Sequence, residues 1–403
     1  MQQLASLEAN LLAAIDGAAM LRQVEAWCAV NTGTGNLAGL AAQAALLADA
    51  FTLLPGELRL VDPAPVTAIA ADGSEVDQRF GQHLVLSVRP EAERRFLLTG
   101  HMDTVYPATS PFQQLTWLDG TTLNGPGVAD MKGGIAVILA ALAAFERSPA
   151  AGHVGYDVLI NSDEEVGSLA SAPLIAQLAR GKAAALTYEP SALPDGTLAG
   201  SRGGSGNYSW IVTGRSAHAG RNPQDGRNAL VAAAALALGL KALERDGLAI
   251  NPARIDGGSA NNVVPDHAVL RFNIRLRDAE AAAHFEAGAA SLVAEVEAAH
   301  GVAIHRHGGI SRPPKPLDAR AEYLFILVRD CGAALGQTIG WQHSGGVCDG
   351  NNIAACGVPV VDTMGVRGGA IHSPDEYLIV PSLAERAALS ALVLHRLATG
   401  APL

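Results

Sequence analysis

Five short stretches carry imidazoles or carboxylates at intervals down the chain: His101-Met-Asp103, Asp130-Met-Lys132, Asp163-Glu164-Glu165, Glu189-Pro190 and His372-Ser-Pro-Asp375. Two imidazoles and three carboxylates can give each of two divalent cations three protein ligands if one carboxylate bridges, leaving room for a shared water. That arrangement is a hydrolytic reaction centre. Mixed imidazole and carboxylate donors suit zinc, two ions per subunit, with Co2+ or Mn2+ as substitutes.

Each stretch also has a local logic. On extended backbone residues two apart share a face, so Asp103 can accept from one nitrogen of His101 while the other nitrogen binds metal, which fixes the tautomer. Asp103 is thus read as an orienter. Asp130 lies between Gly125-Pro-Gly-Val-Ala and Met-Lys-Gly-Gly, ahead of an apolar helix. An Asp there is also an ordinary helix N-cap, but glycines on both sides suit backbone crowded against a bulky centre. Glu164 and Glu165 are adjacent like charges after an apolar strand. Neighbours on a strand point apart, so one can bind metal while the other faces the water as general base.

These residues need elements to place them. Apolar runs at Phe96 to Thr99, Val158 to Ile160 and Ala184 to Tyr188 read as strands that stop just before His101, Glu164 and Glu189. In an open α/β sheet, ligands bind at that edge. Helices are expected at residues 1–12, 135–145, 322–335 and 383–398, and a returning strand at 358–362. Gly200-Ser-Arg-Gly-Gly-Ser-Gly206 reads as a flexible linker and Arg312-Pro-Pro-Lys-Pro316 as a stiff one. Between them the pattern is strand 207–213, helix 225–244, strand 253–256, strand 267–277, helix 279–300, strand 302–306, the split βαβ order βαββαβ. The expected domains are 1–205 with 313–403, and 206–312.

Composition narrows the class. The 403 residues are 49% hydrophobic, with 44 Gly and 21 Pro, as suits a multidomain α/β enzyme. Lys and Arg number 28 against 39 Asp and Glu, a net charge of −11, and no basic stripe is interleaved with aromatics. Nucleic acid is therefore not expected as a partner. Four cysteines without paired spacing favour free thiols in a reducing compartment. The longest apolar segment, residues 134–145, is far short of the ~20 residues of a membrane span, and no basic and apolar leader opens the sequence. No membrane association and a cytoplasmic location are expected.

The phrases His101-Met-Asp-Thr-Val-Tyr106, Gly125-Pro-Gly-Val-Ala-Asp130, Asn161-Ser-Asp-Glu-Glu165, Glu189-Pro-Ser191, Gly214-Arg-Ser-Ala-His-Ala-Gly220 and His372-Ser resemble the motif series of the dinuclear zinc exopeptidase and deacylase family. That family includes carboxypeptidase G, acetylornithine deacetylase and succinyl-diaminopimelate desuccinylase, and the phrasing is most similar to the carboxypeptidase G branch. The resemblance runs from about residue 95 to 380. It implies an α/β zinc-exopeptidase catalytic domain with a central mixed sheet, interrupted by a smaller α+β, ferredoxin-like lid and dimerisation domain.

By position, the resemblance implies one zinc on His101 and Glu189, the other on Glu165 and His372, with Asp130 bridging and Glu164 as general base. It implies that His218 reaches the partner subunit's site to steady the oxyanion, and that Asn262 and Arg275 hold the substrate's terminal carboxylate. Met131 stands where the carboxypeptidase G branch often has a second acid. Arg367, a cation in a loop near His372, departs from the family and is a further substrate-binding candidate. The expected activity is that of a homodimeric zinc hydrolase cleaving an amide bond to a C-terminal amino acid with a free carboxylate, its substrate a small peptide or N-acyl amino acid. An N-acyl-amino-acid deacylase runs the same chemistry. A catalytically silent metal- or peptide-binding dimer is the reading from another class, against which the intact Glu164 argues.

Overall fold

The computed structural model describes residues 6–401. The helix expected over residues 1–12 is seen as Ser6–Leu12, its first five residues lying outside those described. The chain divides into two compact units, residues 1–64, 79–201 and 316–403 against 65–78 and 202–315.

The first unit is built on a six-stranded sheet in the spatial order Glu57–Val61, His83–Val88, Gly155–Asn161, Arg95–His101, Ala184–Thr187, Val360–Val361. The first two pairings are antiparallel and the rest parallel, so the sheet is mixed. Alternation along Arg95–His101 sends Phe96 and Leu98 to one face and Leu97 to the other. Phe96 and Leu98 pack with Ile135, Ile138 and Leu392, from helices Lys132–Phe145 and Ser382–Ala398. Leu97 packs with Ile175 and Ile353, from helices Ala172–Ala179 and Asp349–Ala355. Both faces are covered, which is why these central strands read as unbroken apolar runs.

The second unit is a four-stranded antiparallel sheet in the order Leu248–Gly257, His267–Leu276, Gly204–Thr213, Ala303–Arg312. Helices Ala229–Ala242 and Ala279–His300 complete the βαββαβ order. Tyr208, Trp210, Phe272 and Phe285 form its core, Tyr208 and Phe272 stacked with ring centroids 4.9 Å apart. The hairpin Val66–Ile69 and Glu75–Gln78, which lies outside the expected 206–312 segment in sequence, belongs to this unit.

The stretch expected as a flexible linker at Gly200–Gly206 is instead strand, Leu198–Arg202 followed by Gly204–Thr213. Its glycines serve close approach. A Cβ at Gly204 would stand 2.8 Å from the Arg312 carbonyl oxygen and from Pro314.

Candidate metal centre

The register of the parallel strands brings the expected site together. His101 ends its strand opposite Asn161, and Thr99 lies opposite Thr187, so the turns leading to Glu164, Glu165 and Glu189 flank His101 on either side. Glu164–Val166 is a turn of 3₁₀ helix, not the end of the strand. Strand alternation therefore does not separate the two glutamates, yet they still diverge. Glu165 lies with His101 and Asp130, and Glu164 with His101 and Glu189, each group's donor atoms within 4.8 Å of one another.

Asp130 occupies the middle. Its Oδ1 is 3.0 Å from His101 Nε2, and its Oδ2 is 3.3 Å from His372 Nε2. His101 Nε2 is 3.7 Å from Glu189 Oε2, and His372 Nε2 is 3.0 Å from Glu165 Oε2. Two donors bound to one zinc at 2.0–2.1 Å with tetrahedral angles stand roughly 3.3 Å apart. The observed separations fall around that figure in two sets that share Asp130, so the donor set fits two ions with a bridging carboxylate. The N-cap of helix Lys132–Phe145 is Met131, not Asp130, and its side chain makes no cap hydrogen bond.

Charge supports the same fit. Burial would raise Asp130, but its hydrogen bonds to His101 and His372 outweigh that and hold it well below the usual carboxylate range. Burial, and then Asp130 itself, push Glu165 up to about 7. Hydrogen bonds to Asp130 and Glu165 push His372 up to about 10. Neighbouring carboxylates that cannot all ionise comfortably lack positive charge, and bound dications supply it.

Asp103 does more than orient an imidazole. His101 Nδ1 is 3.0 Å from the Asp103 backbone carbonyl and 3.4 Å from its carboxylate. The carboxylate accepts the N–H groups of Glu164 at 3.1 Å and Glu165 at 3.2 Å, and the Thr34 hydroxyl at 2.8 Å. It therefore sets the turn that presents the base and a ligand. Gly365 lies against Glu189, donating its N–H to the Glu189 carbonyl at 2.9 Å. A Cβ there would come within 2.1 Å of the Tyr188 carbonyl oxygen. His372 sits at φ 62°, in the left-handed region, and is exposed, which leaves the cluster open on its side.

In the second unit, His218 and Asn262 are neighbours. Ala217–His218 pairs with Val263–Val264, and the Asn262 carbonyl accepts the Ala219 N–H at 2.9 Å. Gly220 N–H donates to His218 Nδ1 at 3.1 Å, which assigns the neutral ring's proton to Nε2. Arg275 lies at the other end of strand His267–Leu276, its Nε donating to Asn273 Oδ1 at 3.1 Å. All three are exposed.

Arg367, proposed from its place in the sequence to meet substrate, has its guanidinium engaged elsewhere. Nε donates to the Pro194 carbonyl at 2.9 Å and Nη1 pairs with Glu385 at 3.1 Å. The structure gives it a loop to hold.

Sequence reading missed Glu376 and Asp349, both buried beside the site's backbone. Asp349 accepts from Asn161 Nδ2 at 2.8 Å and from the Ser168 hydroxyl at 2.6 Å, either side of the Glu164–Glu165 turn. Glu376 accepts the Asp130 N–H at 3.0 Å. An acid close after His372 was the available signal for it.

The four cysteines are free, and among the described residues no helix is long and apolar enough to cross a membrane. Residues 97–396 match peptidase family M20/M25/M40. Carboxypeptidase G2 of Pseudomonas sp. (strain RS-16) is 29% identical over 395 residues, covering 95% of this chain and 90% of that protein. Succinyl-diaminopimelate desuccinylase of Rhodospirillum centenum is 30% identical over 332 residues, 76% of this chain and 82% of its own length. A solved dinuclear metal-binding M20 peptidase of Bacillus subtilis aligns with a TM-score of 0.63 at 14% identity, over 94% of this chain and 98% of that one. The last likeness is one of fold.

Proposed function

The chain belongs to peptidase family M20/M25/M40 and is a metal-dependent hydrolase, and on that premise we propose that it cleaves the amide bond to a C-terminal amino acid bearing a free α-carboxylate. Glutamate or a similar residue is the amino acid released, as in a glutamate carboxypeptidase. The observation that carries the hydrolytic part is the Asp130 carboxylate, one oxygen facing each imidazole, with Glu164 grouped beside His101 and Glu189.

Two divalent ions, zinc by the donor set, would polarise the scissile carbonyl and lower the pKa of a water toward ~7. Glu164, on the turn that Asp103 holds, takes the proton of the attacking water and returns it to the leaving nitrogen. His218 donates a hydrogen bond from its Nε2–H to the developing oxyanion, a contribution of the kind worth ~10²–10³ in rate. Arg275 binds the terminal carboxylate with a planar fork that a lysine lacks. Its Nε is tethered to Asn273, and Asn273 in turn to Asn207 at 2.8 Å, which sets the direction of the guanidinium.

Two copies are needed for this chemistry. His218 and Asn262 belong to the segment that leads into strand His267–Leu276 and Arg275 lies near its far end, and from His267 to Arg275 the strand runs roughly 27 Å at ~3.4 Å per residue. A small substrate cannot span that distance. The reading therefore takes Arg275 from one subunit and His218 with Asn262 from its partner, in a homodimer acting on a small peptide or N-acyl amino acid, in the cytoplasm. The similarity to a desuccinylase favours a second reading, an N-acyl-amino-acid deacylase with the same machinery.

A panel of dipeptides and N-acyl amino acids, each as free acid and as amide, tests both. The free acids are expected to be cleaved and the amides to fall by on the order of 10²-fold in kcat/KM, while Arg275→Ala loses a similar factor on acids and discriminates little. Equal cleavage of acid and amide by the wild type removes the carboxylate-reading role. The acyl groups accepted separate peptidase from deacylase.

A further inference from the structure

We propose that Glu376 is a positioning residue for the metal centre, a carboxylate that binds no ion itself but ties together the segments bearing three of the ligands. The inference rests on the two-ion reading of the cluster.

Glu376 is fully buried, and it belongs to neither group of residues placed to hold a cation. Its Oε1 accepts two backbone N–H groups, those of Ala129 and Asp130, each at 3.0 Å. Its Oε2 accepts the Tyr106 hydroxyl at 2.8 Å, and that hydroxyl also lies 2.9 Å from the Ser373 carbonyl oxygen. The Glu376 backbone closes the arrangement, its carbonyl accepting Gly125 N–H at 3.2 Å and Asn124 Nδ2 at 2.8 Å.

Chain order gives these contacts their meaning. Tyr106 follows His101 by five residues, the Asp130 amide belongs to the bridging ligand, and Glu376 follows His372 by four. One side chain thus fixes the peptide of the central carboxylate against both histidine-bearing segments. A buried carboxylate adds little to stability that an apolar side chain of similar size would not supply. Its use here is directional, because two parallel N–H donors and one hydroxyl reach both oxygens only in one relative placement of the three segments. Asp103 plays the same part for the Glu164–Glu165 turn.

The test measures ion binding in the purified chain, with Zn2+ titrated against a chromogenic chelator and Co2+ followed by its visible absorption, which reports coordination geometry. Thermal melts of the metal-free variants check folding. Glu376→Ala is expected to weaken affinity for at least one ion by about 10–100-fold, the usual cost of losing a partner that orients ligands, and to alter the cobalt spectrum. Glu376→Gln keeps a carbonyl for the two N–H groups and an amide toward Tyr106, so it should stay within about threefold of wild type, with Tyr106→Phe between the two. Wild-type affinity and spectrum in Glu376→Ala overturn the proposal, as does a glutamine variant as impaired as the alanine one. Should Glu376→Ala fail to fold, Tyr106→Phe decides, and wild-type binding there overturns the proposal. Wild-type protein that binds neither Zn2+ nor Co2+ overturns the two-ion reading itself, whereas the variants speak only to Glu376.

Discussion

The two units hold their polar residues in opposite ways. In the first, the ligand candidates are cross-braced by buried carboxylates: Asp103 and Glu376 are both 0% exposed and each accepts several hydrogen bonds. In the second, His218, Asn262 and Arg275 are exposed, and their bonds to the chain are few. A centre that must hold charge in fixed geometry is built before any ligand arrives. Residues that grip a substrate can instead stand in solvent until a second surface closes over them, and their interactions strengthen as water leaves. On the proposed function, the difference separates residues that make the reaction possible from residues that select and steady what reacts.

The sharpest way to break that division is within the first unit. Glu164→Gln should retain both ions and the fold, because an amide still hydrogen-bonds a water, yet lose ~10²–10⁴-fold or more in kcat for want of a proton acceptor. Glu165→Ala and His372→Ala should lose metal as well as activity. Metal content and kcat measured on the same preparations distinguish the two behaviours. A Glu164→Gln enzyme keeping more than about a tenth of wild-type kcat would show that another group accepts the proton.

A smaller effect is expected from the second unit. His218→Ala should cost ~10²–10³ in kcat, the loss of one oxyanion donor, without changing metal content. Because His218 is assigned to the partner's site, inactive His218→Ala and inactive Glu164→Gln subunits should regain activity when mixed and exchanged. One of the two sites in such a heterodimer then has both an intact base and an intact donor. With exchange confirmed by mass, absence of recovery would assign His218 to its own subunit's site or to none.

How much of this could be read from sequence depended on the range of each contact. The gathering of His101, Asp130, Glu164, Glu165, Glu189 and His372 at one place was legible because each follows an apolar strand or lies in a glycine-rich loop, a local signal. The long-range contacts that brace it were not. Glu376 meets Ala129 across 247 positions, Asp349 meets Asn161 across 188 and Asp103 meets Thr34 across 69. Such pairs are set by strand order and register, which no single stretch of sequence specifies. The βαββαβ order was legible from its alternating periods, whereas the hairpin Val66–Ile69 and Glu75–Gln78 went unread, and nothing in its own stretch places it beside His267, where Gly73 packs. At Gly200–Gly206 composition misled, because glycine permits close packing as readily as flexibility.

The smallest expected effect concerns Arg367, where sequence and structure part most clearly. A cation five residues before His372 invites a substrate-binding role. In the fold it clamps the loop that follows Glu189, through the Pro194 carbonyl and Glu385. Arg386 holds the same loop through the Gly196 carbonyl at 2.8 Å and is itself buried, so the loop keeps one guanidinium if the other is removed. The Arg367–Glu385 pair is partly exposed, and pairs of that kind are worth about 0–1 kcal/mol. Arg367→Ala should therefore lower stability by no more than about 1 kcal/mol and change kcat/KM by less than about fivefold, equally for free acids and amides. Arg275→Ala, by contrast, is expected to erase that preference. If Arg367→Ala instead abolishes the preference while Arg275→Ala leaves it intact, the carboxylate is read in the first unit, and the division between a braced reaction centre and an exposed substrate grip no longer holds.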